Sequence, residues 1–130
     1  MPAPKITHKS RHVPRLDGIV FAHESEREFA KLLTFYGLRW QYEPTTFPLT
    51  WDDLGRVREA FTPDFYLPDH DLYIELTTKE QRLMTAKHRK LRKLQALHPD
   101  VKIRLLSRKD CLALARKFGW RASVMENPGV

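Results

Sequence analysis

The chain has 130 residues, of which 42% are hydrophobic, and Lys and Arg outnumber Asp and Glu by 23 to 16, giving a formal net charge of +7. This length suffices for one domain with its own core and is too short for two. No apolar run reaches the roughly 20 residues that cross a bilayer, and the basic N-terminus lacks the apolar centre of a secretory signal, so we expect no membrane partner. The single cysteine, Cys111, excludes an intramolecular disulfide. We therefore expect a cytoplasmic location and, from the charge, a polyanionic partner.

The N-terminal part of the chain predicts a flexible arm followed by one helix. Residues 1–20 are basic, contain three prolines and offer few bulky apolar side chains for a core, which is typical of a flexible arm. Ser25 followed by Glu28 is a capping-box pattern, and apolar residues at helical spacing then continue to Gly37. We therefore expect the first helix over residues 25–37, with the glycine at its end.

The rest of the chain predicts four strands and two more helices. Trp40 and Tyr42 alternate with polar residues in a short strand, and the polar segment 44–59 favours a connection that forms a hairpin near Gly55. The other predicted elements, in chain order, are a strand over 60–67, a turn over 68–71, a strand over 72–77, a helix over 79–97, a strand over 101–105, a last helix over 107–119 capped by Ser107 and Asp110, and a tail over 120–130.

This order of elements predicts an α/β fold. A helix, three consecutive strands, a second helix and a fourth strand place a mixed central sheet between helices, with the fourth strand returning through a helical crossover and an additional helix at the C-terminus. We expect one folded domain over residues 21–119, between the basic arm and the tail.

Two acidic side chains lie at the ends of apolar segments on consecutive predicted strands. Asp64 follows Pro63 between two phenylalanines, and Glu75 lies between Ile74 and Leu76. Leaving a carboxylate unpaired in such surroundings costs several kcal/mol, so each is expected to have a partner such as a cation. Mg²⁺ is usually held by one or two carboxylates together with waters and substrate phosphate. Asp64 and Glu75 are therefore predicted metal ligands, with the Leu76 backbone carbonyl as a third.

Each acidic residue also has a purely structural interpretation. Asp64 after a proline is typical of a turn or strand end, and Glu75 of an exposed edge strand. The apolar neighbours of both residues favour burial instead, and their joint occurrence favours a common site. For Glu28 the capping box alone is a sufficient explanation.

The sequence Pro63-Asp64 followed by Glu75 resembles the motif of the PD-(D/E)xK nuclease superfamily, whose core order is helix, three-stranded meander, helix and strand. The resemblance covers about residues 24–118 and is strongest to the small Holliday-junction resolvases and transposon-end nicking endonucleases. It implies a restriction-endonuclease-like fold, Mg²⁺ or Mn²⁺ as the cofactor, and a glutamate of the first helix that completes the metal site. Glu28 lies at the position of this glutamate. The weaker candidates are the neighbouring glutamates, Glu24 and Glu26.

The chain departs from this family at one position. The lysine expected two residues after the glutamate is missing, and Thr77 stands in its place. Some members of the family carry the lysine on the following helix, which here offers Lys87 and Lys90. We predict Lys90 as the residue that assists the attacking water, with Lys87 close behind. Lys79 is nearer in sequence but lies at the helix entry.

A dense basic stretch on the second predicted helix is a candidate nucleic-acid-binding surface. The predicted contacts to backbone phosphates are Lys87, Arg89, Lys90, Arg92 and Lys93. Such a run is also typical of an ordinary solvated helix face. Trp51 either packs in the hairpin or stacks on a splayed base.

Together these features predict a metal-dependent endonuclease that hydrolyses DNA phosphodiester bonds. Branched or structured DNA is among the candidate substrates, RNA stays open, and a homodimer fits because one such core makes one nick. One alternative is a nuclease-like module that binds nucleic acid without cutting it, and another is an accessory protein-interaction domain. Carboxylates ordered around a metal would favour the enzyme, whereas a Lys–Glu salt bridge in an ion-free pocket would favour the non-cleaving module.

Overall fold

The computed structural model describes residues 16–107 and, beyond them, the helical positions 109, 110, 113 and 116. Within residues 16–107 the elements are α1 Glu24–Phe35, β1 Gln41–Tyr42, β2 Phe47–Trp51, β3 Val57–Phe61, β4 Phe65–Leu67, β5 Leu72–Leu76, α2 Gln81–Leu97 and β6 Ile103–Leu106. The chain is therefore of the mixed α/β class, as predicted. The predicted helix over 107–119 lies largely outside the described residues, and the predicted tail over 120–130 lies entirely outside them.

The start of α1 differs from the prediction. The helix begins at Glu24 after His23, and no side chain caps its N-terminus, so the predicted capping box of Ser25 and Glu28 is wrong. The reason is positional, because the serine already lies inside the first helical turn, where its side chain cannot act as the N-cap. Glu28 instead forms an ion pair with Lys31 at 3.6 Å.

The end of α1 has a Schellman motif at the predicted glycine. Gly37 adopts a left-handed φ of 73°, which favours glycine. Its N–H donates to the Thr34 carbonyl oxygen and the Leu38 N–H donates to that of Leu33, both at 2.9 Å. These two bonds satisfy carbonyl groups that the helix leaves without partners, and the chain turns there towards β1.

The central sheet has four strands in the order β1-β4-β5-β6. β1 pairs with β4 and β4 with β5 in antiparallel fashion, whereas β5 and β6 are parallel. α2 lies between β5 and β6 in the chain and makes the crossover that a parallel pair needs. The predicted mixed sheet and helical crossover are confirmed.

The strand predicted over residues 60–67 is wrong, because the structure divides it between two sheets. β3 ends at Phe61 and pairs with β2, while β4 begins at Phe65 and pairs with β1 and β5. The break contains Pro63, which is fully buried and has no N–H to donate to a sheet ladder. The chain therefore leaves one sheet and enters the other at Asp64.

The predicted hairpin near Gly55 is confirmed, and it forms a separate two-stranded antiparallel sheet. Gly55 adopts a left-handed φ of 81°, and its N–H donates to the Asp52 carbonyl oxygen at 3.0 Å. The strand register shifts between Pro48 and Thr50 and again between Thr50 and Trp51. Such irregularities increase the twist of a hairpin and end its regular pairing.

Two apolar clusters hold these elements together. One joins α1 to the central sheet and contains Phe29, Ala30, Leu33, Leu38, Trp40, Phe65, Leu67, Ile74, Leu76 and Leu106. The other joins α2 and the hairpin to the sheet and contains Leu49, Phe61, Leu94 and Ile103. Because successive residues of a strand point to opposite faces, Ile74 and Tyr73 of β5 belong to different clusters. The central sheet thus lies between α1 and the layer of α2 and the hairpin.

Both ends of the described region are tied to the fold. Leu16 and Ile19 pack against the α1 cluster, although the sequence assigns them to the flexible arm; residues 1–15 lie outside the described residues. The Ser107 N–H donates to Asp110 Oδ2 and the Asp110 N–H to Ser107 Oγ, both at 3.0 Å, which confirms the predicted cap. In the described part of the chain, no helix has the length and apolar character needed to cross a bilayer.

Candidate active site

The sheet register brings the two predicted metal ligands together. Phe65 pairs with Ile74, so Asp64 and Glu75 lie opposite each other on one face, where side chains are about 5 Å apart. The Asp64 N–H donates to Glu75 Oε1 at 3.1 Å, and the Leu76 N–H donates to Asp64 Oδ2 at 2.8 Å. Asp64 and Glu75 are only 7% and 5% exposed. Two carboxylates therefore share one buried position at the carboxyl end of β5.

Burial and mutual repulsion disfavour the charged forms of this carboxylate pair. Desolvation raises the pKa of Asp64 to about 8, and the negative charges of Glu75 and Glu26 act in the same direction. Burial also raises the pKa of Glu75, against the opposing effect of a hydrogen bond from Lys87. Like charges that face each other across two strands destabilise a sheet. The pair therefore needs more positive charge than one lysine supplies if both carboxylates are to ionise.

Lys87 is the lysine that lies at the carboxylates. Its Nζ donates to Glu75 Oε2 at 2.7 Å and to the Leu76 carbonyl oxygen at 2.8 Å. Lys90 lies nearly one turn further along α2 and donates to the Ala60 carbonyl oxygen at 3.2 Å, at the end of the hairpin. The structure thus brings the second predicted lysine, and not the first, to the site.

A buried glutamate of α1 also acts on the carboxylate pair. Glu26 is buried, and its negative charge raises the pKa of both Asp64 and Glu75. Its Oε1 accepts hydrogen bonds from the Tyr42 hydroxyl at 2.6 Å and from the Ala22 N–H at 3.1 Å. Burial and the bond to Glu26 raise the pKa of Tyr42, which keeps its hydroxyl a donor. Glu26 is therefore held in place by two donors on the side of the site that faces α1.

Glu28, the predicted auxiliary ligand, lies on the wall of the same cavity but is only half-buried and pairs with Lys31. The sequence did contain a signal for Glu26. It precedes Phe29 by three residues and Leu33 by seven, so it shares their core-facing side of the helix. The family resemblance implies Glu28 instead, because Glu28 lies at the position of the family's helix glutamate.

The oxygen atoms at this position fit a hard divalent cation. Asp64 and Glu75 supply carboxylate oxygens, and the Leu76 carbonyl adds a neutral one, which is the donor chemistry that Mg²⁺ prefers. Lys87 Nζ contacts two of these three residues. Among the described residues, no group of three or more His, Cys, Asp or Glu side chains is arranged to hold a metal ion. A cation here would therefore depend on two carboxylates, the carbonyl and water.

A cavity of about 820 Å³ opens beside the carboxylates. Its lining includes Asp64, Glu26 and Lys87, together with the carboxyl ends of the parallel strands β5 and β6 at Leu76 and Ser107. Ligands in open α/β sheets bind outside the carboxyl ends of the strands, and the volume is within the range of ligand sites. Three further lysines line the cavity, namely Lys31, Lys79 and Lys109. Thr77 also lines it, at the position where the sequence lacks the expected lysine.

Most of the predicted phosphate contacts on α2 already have partners inside the protein. Arg89 and Lys93 form ion pairs with Glu59 of β3 at 2.9 and 2.8 Å. Lys87 donates to Glu75 and to the Leu76 carbonyl, and Lys90 donates to the Ala60 carbonyl. Arg92 is exposed. The basic stretch therefore ties α2 to the hairpin, and its contact with nucleic acid stays a prediction.

Comparisons of the chain with protein-family models, with curated proteins and with solved structures gave no match. The chemistry of the site is therefore inferred from its own geometry and charge. The resemblance to PD-(D/E)xK nucleases, and the restriction-endonuclease-like topology that it implies, stay predictions.

Proposed function

We propose that this chain is a Mg²⁺- or Mn²⁺-dependent nuclease that hydrolyses DNA phosphodiester bonds on a restriction-endonuclease-like fold. The observation that carries the proposal is the second buried carboxylate, Asp64, which adjoins the ion pair of Glu75 with Lys87 Nζ at 2.7 Å. A purely structural ion pair needs one carboxylate for one lysine, whereas here a second carboxylate with a raised pKa adjoins the first. Carboxylates with shifted pKa values beside a lysine in a cavity are typical of catalytic sites.

Each residue of the site has a distinct part in the proposed reaction. Asp64, Glu75 and the Leu76 carbonyl hold the metal ion, which when bound stabilises charge on the phosphoryl oxygens and lowers the pKa of water. Lys87 orients the attacking water and offsets the negative charge that develops on the phosphate. Glu26 adds negative charge beside the ligands and takes the place that the family resemblance gives to Glu28.

The basic character of the chain supports nucleic acid as the substrate. The net charge of +7 attracts a polyanion, and the lysines along the cavity supply positive charge next to the carboxylates. The choice of DNA over RNA follows the family resemblance. A homodimer would present two such sites to the two strands of a duplex, and the cytoplasm is the proposed location.

The same ion pair supports a second candidate, a nuclease-like module that binds nucleic acid without cutting it. In that case the Lys87 ammonium is the permanent counter-ion of Glu75, and no metal binds. Calorimetric titration with Mn²⁺ separates the two functions. Binding that is lost in Asp64→Ala supports the nuclease, whereas wild-type protein that binds DNA but no Mn²⁺ supports the non-cleaving module.

Cleavage of end-labelled linear, nicked, branched and single-stranded DNA, in Mg²⁺, Mn²⁺ or EDTA, tests the proposal directly. We expect products that require the metal and that disappear in Asp64→Ala while DNA affinity is kept. Asp69→Ala is the matched control, because Asp69 lies in the turn at the opposite end of β4 and β5 and pairs with Arg39. Salt-sensitive DNA binding without products from any substrate would contradict the nuclease.

A further inference from the structure

The tip of the β2–β3 hairpin carries three apolar side chains in solvent. Trp51 is 47% exposed, Leu54 74% and Val57 52%. Trp51 and Val57 face each other across the two strands, and Leu54 lies in the turn between them. Single exposed apolar residues are ordinary on a protein surface, but three adjacent ones on one projection indicate an interaction surface.

The tip is held in one shape by Asp52. Its carboxylate accepts hydrogen bonds from the Leu54 N–H and the Arg56 N–H, both at 2.9 Å, and from Arg56 Nε at 2.8 Å. The bonds from Arg56 and Leu54 hold the pKa of Asp52 below its usual range. Because a preorganised aromatic surface loses little conformational freedom on binding, this rigidity suits a recognition element.

The part of the hairpin next to the tip is fixed to α2 by ion pairs and lies among basic side chains. Glu59 pairs with both Arg89 and Lys93. A cleft of about 450 Å³ lies at this junction and is lined by Thr50, Arg58, Glu59 and Lys93. Arg89 and Lys93 pair with a single carboxylate, and Arg58 also lines the cleft, so the local charge is positive and attracts a polyanion. Trp51 directly follows Thr50, which lines the cleft. The Trp51 ring therefore lies beside a candidate phosphate site.

The hairpin also leads to the carboxylate site. β3 ends at Phe61, three residues before Asp64 in the chain. Along α2, Lys93 lies six residues beyond Lys87, which at about 1.5 Å per residue is about 9 Å along the helix axis. A nucleic-acid strand at the carboxylates would thus meet the cleft within a few nucleotides.

We propose that the hairpin tip and this cleft bind an unpaired segment of the substrate, with a base stacked on Trp51 and phosphates at Arg58 and Lys93. Stacking on an aromatic ring tolerates every base but requires that the base is not paired inside a duplex. The inference rests on the proposed function, since it takes the substrate to be nucleic acid, and it names the substrate class: DNA with a single-stranded or splayed segment.

Binding without cleavage tests this proposal. The Asp64→Ala variant in EDTA is titrated with a fluorescein-labelled single strand and with a blunt duplex of the same sequence, and affinity is followed by anisotropy. We expect tighter binding of the single strand, an affinity loss of about tenfold when Trp51→Ala is added, and a smaller loss for Trp51→Phe. In a Trp120→Phe background, an unlabelled single strand should quench the tryptophan fluorescence, and Trp51→Phe should remove that quenching, because the remaining Trp40 is buried.

Matched variants separate a specific contact from a general surface effect. Phe35→Ala removes an aromatic side chain that is 78% exposed at the end of α1, and Arg104→Ala removes one exposed positive charge on β6. Neither should change single-strand affinity. Arg58→Ala should weaken it and reduce its salt dependence. Leu54→Ala, which alters the tip without touching the strands, should weaken it too, and thermal melts establish that each variant is folded.

Several outcomes overturn the proposal. Equal affinity for duplex and single strand, or Trp51→Ala and Leu54→Ala variants that bind as tightly as their parent, would remove the hairpin from substrate recognition even if Mg²⁺-dependent cleavage is found. A concentration-dependent dimer that Trp51→Ala dissociates, with no effect on DNA binding, would assign the tip to a second copy of the chain. If a base stacks on Trp51 but no substrate is cleaved, the binding role of the hairpin stands and only the proposed nuclease activity is contradicted.

Discussion

Two lysines of α2 form ion pairs of nearly equal length with glutamates of the strands, but the pKa values of the two glutamates are shifted in opposite directions. Lys87 Nζ lies 2.7 Å from Glu75, and Lys93 Nζ lies 2.8 Å from Glu59. Burial raises the pKa of Glu75, whereas hydrogen bonds from Lys93 and Arg89 lower the pKa of Glu59. The distance between the charged atoms therefore says little about what either pair does.

The number of charges around each glutamate explains the difference. At the carboxylate site, Glu75 and Asp64 are buried beside one ion-paired lysine, so direct contacts leave one negative charge unbalanced when both carboxylates ionise. At the hairpin, Glu59 alone faces Arg89 and Lys93 near the surface, so positive charge is in excess. The first arrangement is suited to a cation and the second to an anion such as phosphate. The proposed metal site and the proposed phosphate site both adjoin α2, and a phosphodiesterase needs both.

The largest expected effect is on cleavage, and it separates the two glutamates. Glu75→Gln removes a proposed metal ligand, and we expect the cleavage rate in Mg²⁺ to fall about a thousandfold. Glu59→Gln leaves the carboxylate site intact, and the rate should stay within a few-fold of wild type. Single-turnover cleavage under saturating enzyme measures both. Equal losses would mean that the site depends on hairpin anchoring more than on metal ligation.

The second largest expected effect is on the free energy of unfolding, which should fall more in Lys87→Ala than in Lys93→Ala. Lys87→Ala leaves two buried carboxylates without an internal cation, and removing one partner of a buried pair costs about 3–5 kcal/mol. Proton uptake by the carboxylates limits the loss, so we expect about 2–3 kcal/mol in urea unfolding at pH 8 with EDTA. Lys93→Ala should lose much less, because Arg89 still pairs with Glu59. Addition of Mg²⁺ should restore part of the loss in Lys87→Ala; a larger loss for Lys93→Ala would contradict this account.

The carboxylate pair was predictable from sequence because strand geometry fixes it. A short turn between two apolar strands sets an antiparallel register, and strand alternation then places Asp64 and Glu75 on one face. The strand break before Asp64 was missed, because Phe61 and Phe65 continue the apolar pattern on both sides of Pro63. The proline itself was the available signal.

The helix residues of the site were harder to predict, because their positions depend on how each helix packs. Lys87 and Lys90 lie about 60° apart around α2, and the packing of α2 through Leu94 and Leu91 decides which lysine reaches Glu75. No local pattern contains that information. For Glu26 a local pattern did exist in the apolar stripe of α1, but the family resemblance placed the glutamate of the metal site at Glu28 instead.

The pH dependence of stability should differ between the two regions. The pKa of Asp64 is raised to about 8 in the folded protein and is near 4 in an unfolded chain. Its stabilising contribution is therefore complete below about pH 4 and is lost as the pH rises through about 8. The lowered pKa of Glu59 gives the opposite sign, a contribution that is present above about pH 4 and is lost only in stronger acid.

Urea unfolding in EDTA between pH 5 and 9 measures this difference. We expect the free energy of unfolding of wild type to fall over this range and Asp64→Asn to flatten the fall, because the amide does not ionise. Glu59→Gln should leave the slope unchanged. With Mg²⁺ the slope should reverse, since the cation binds the ionised pair. Because the pKa of Glu75 is also raised by burial, part of the slope should remain, and a slope that Asp64→Asn leaves unchanged would assign it to other groups.

The smallest expected effect concerns the glutamates of α1. Glu26→Gln keeps an acceptor for the Tyr42 hydroxyl but removes a charge that acts on both carboxylates. Less negative charge near the metal should weaken Mn²⁺ binding about tenfold by calorimetry at pH 8. Glu28→Gln is the matched control, because Glu28 pairs with Lys31 and should leave Mn²⁺ affinity unchanged. If Glu28→Gln weakens binding more than Glu26→Gln does, the glutamate predicted from the sequence completes the metal site, and the buried one only supports α1.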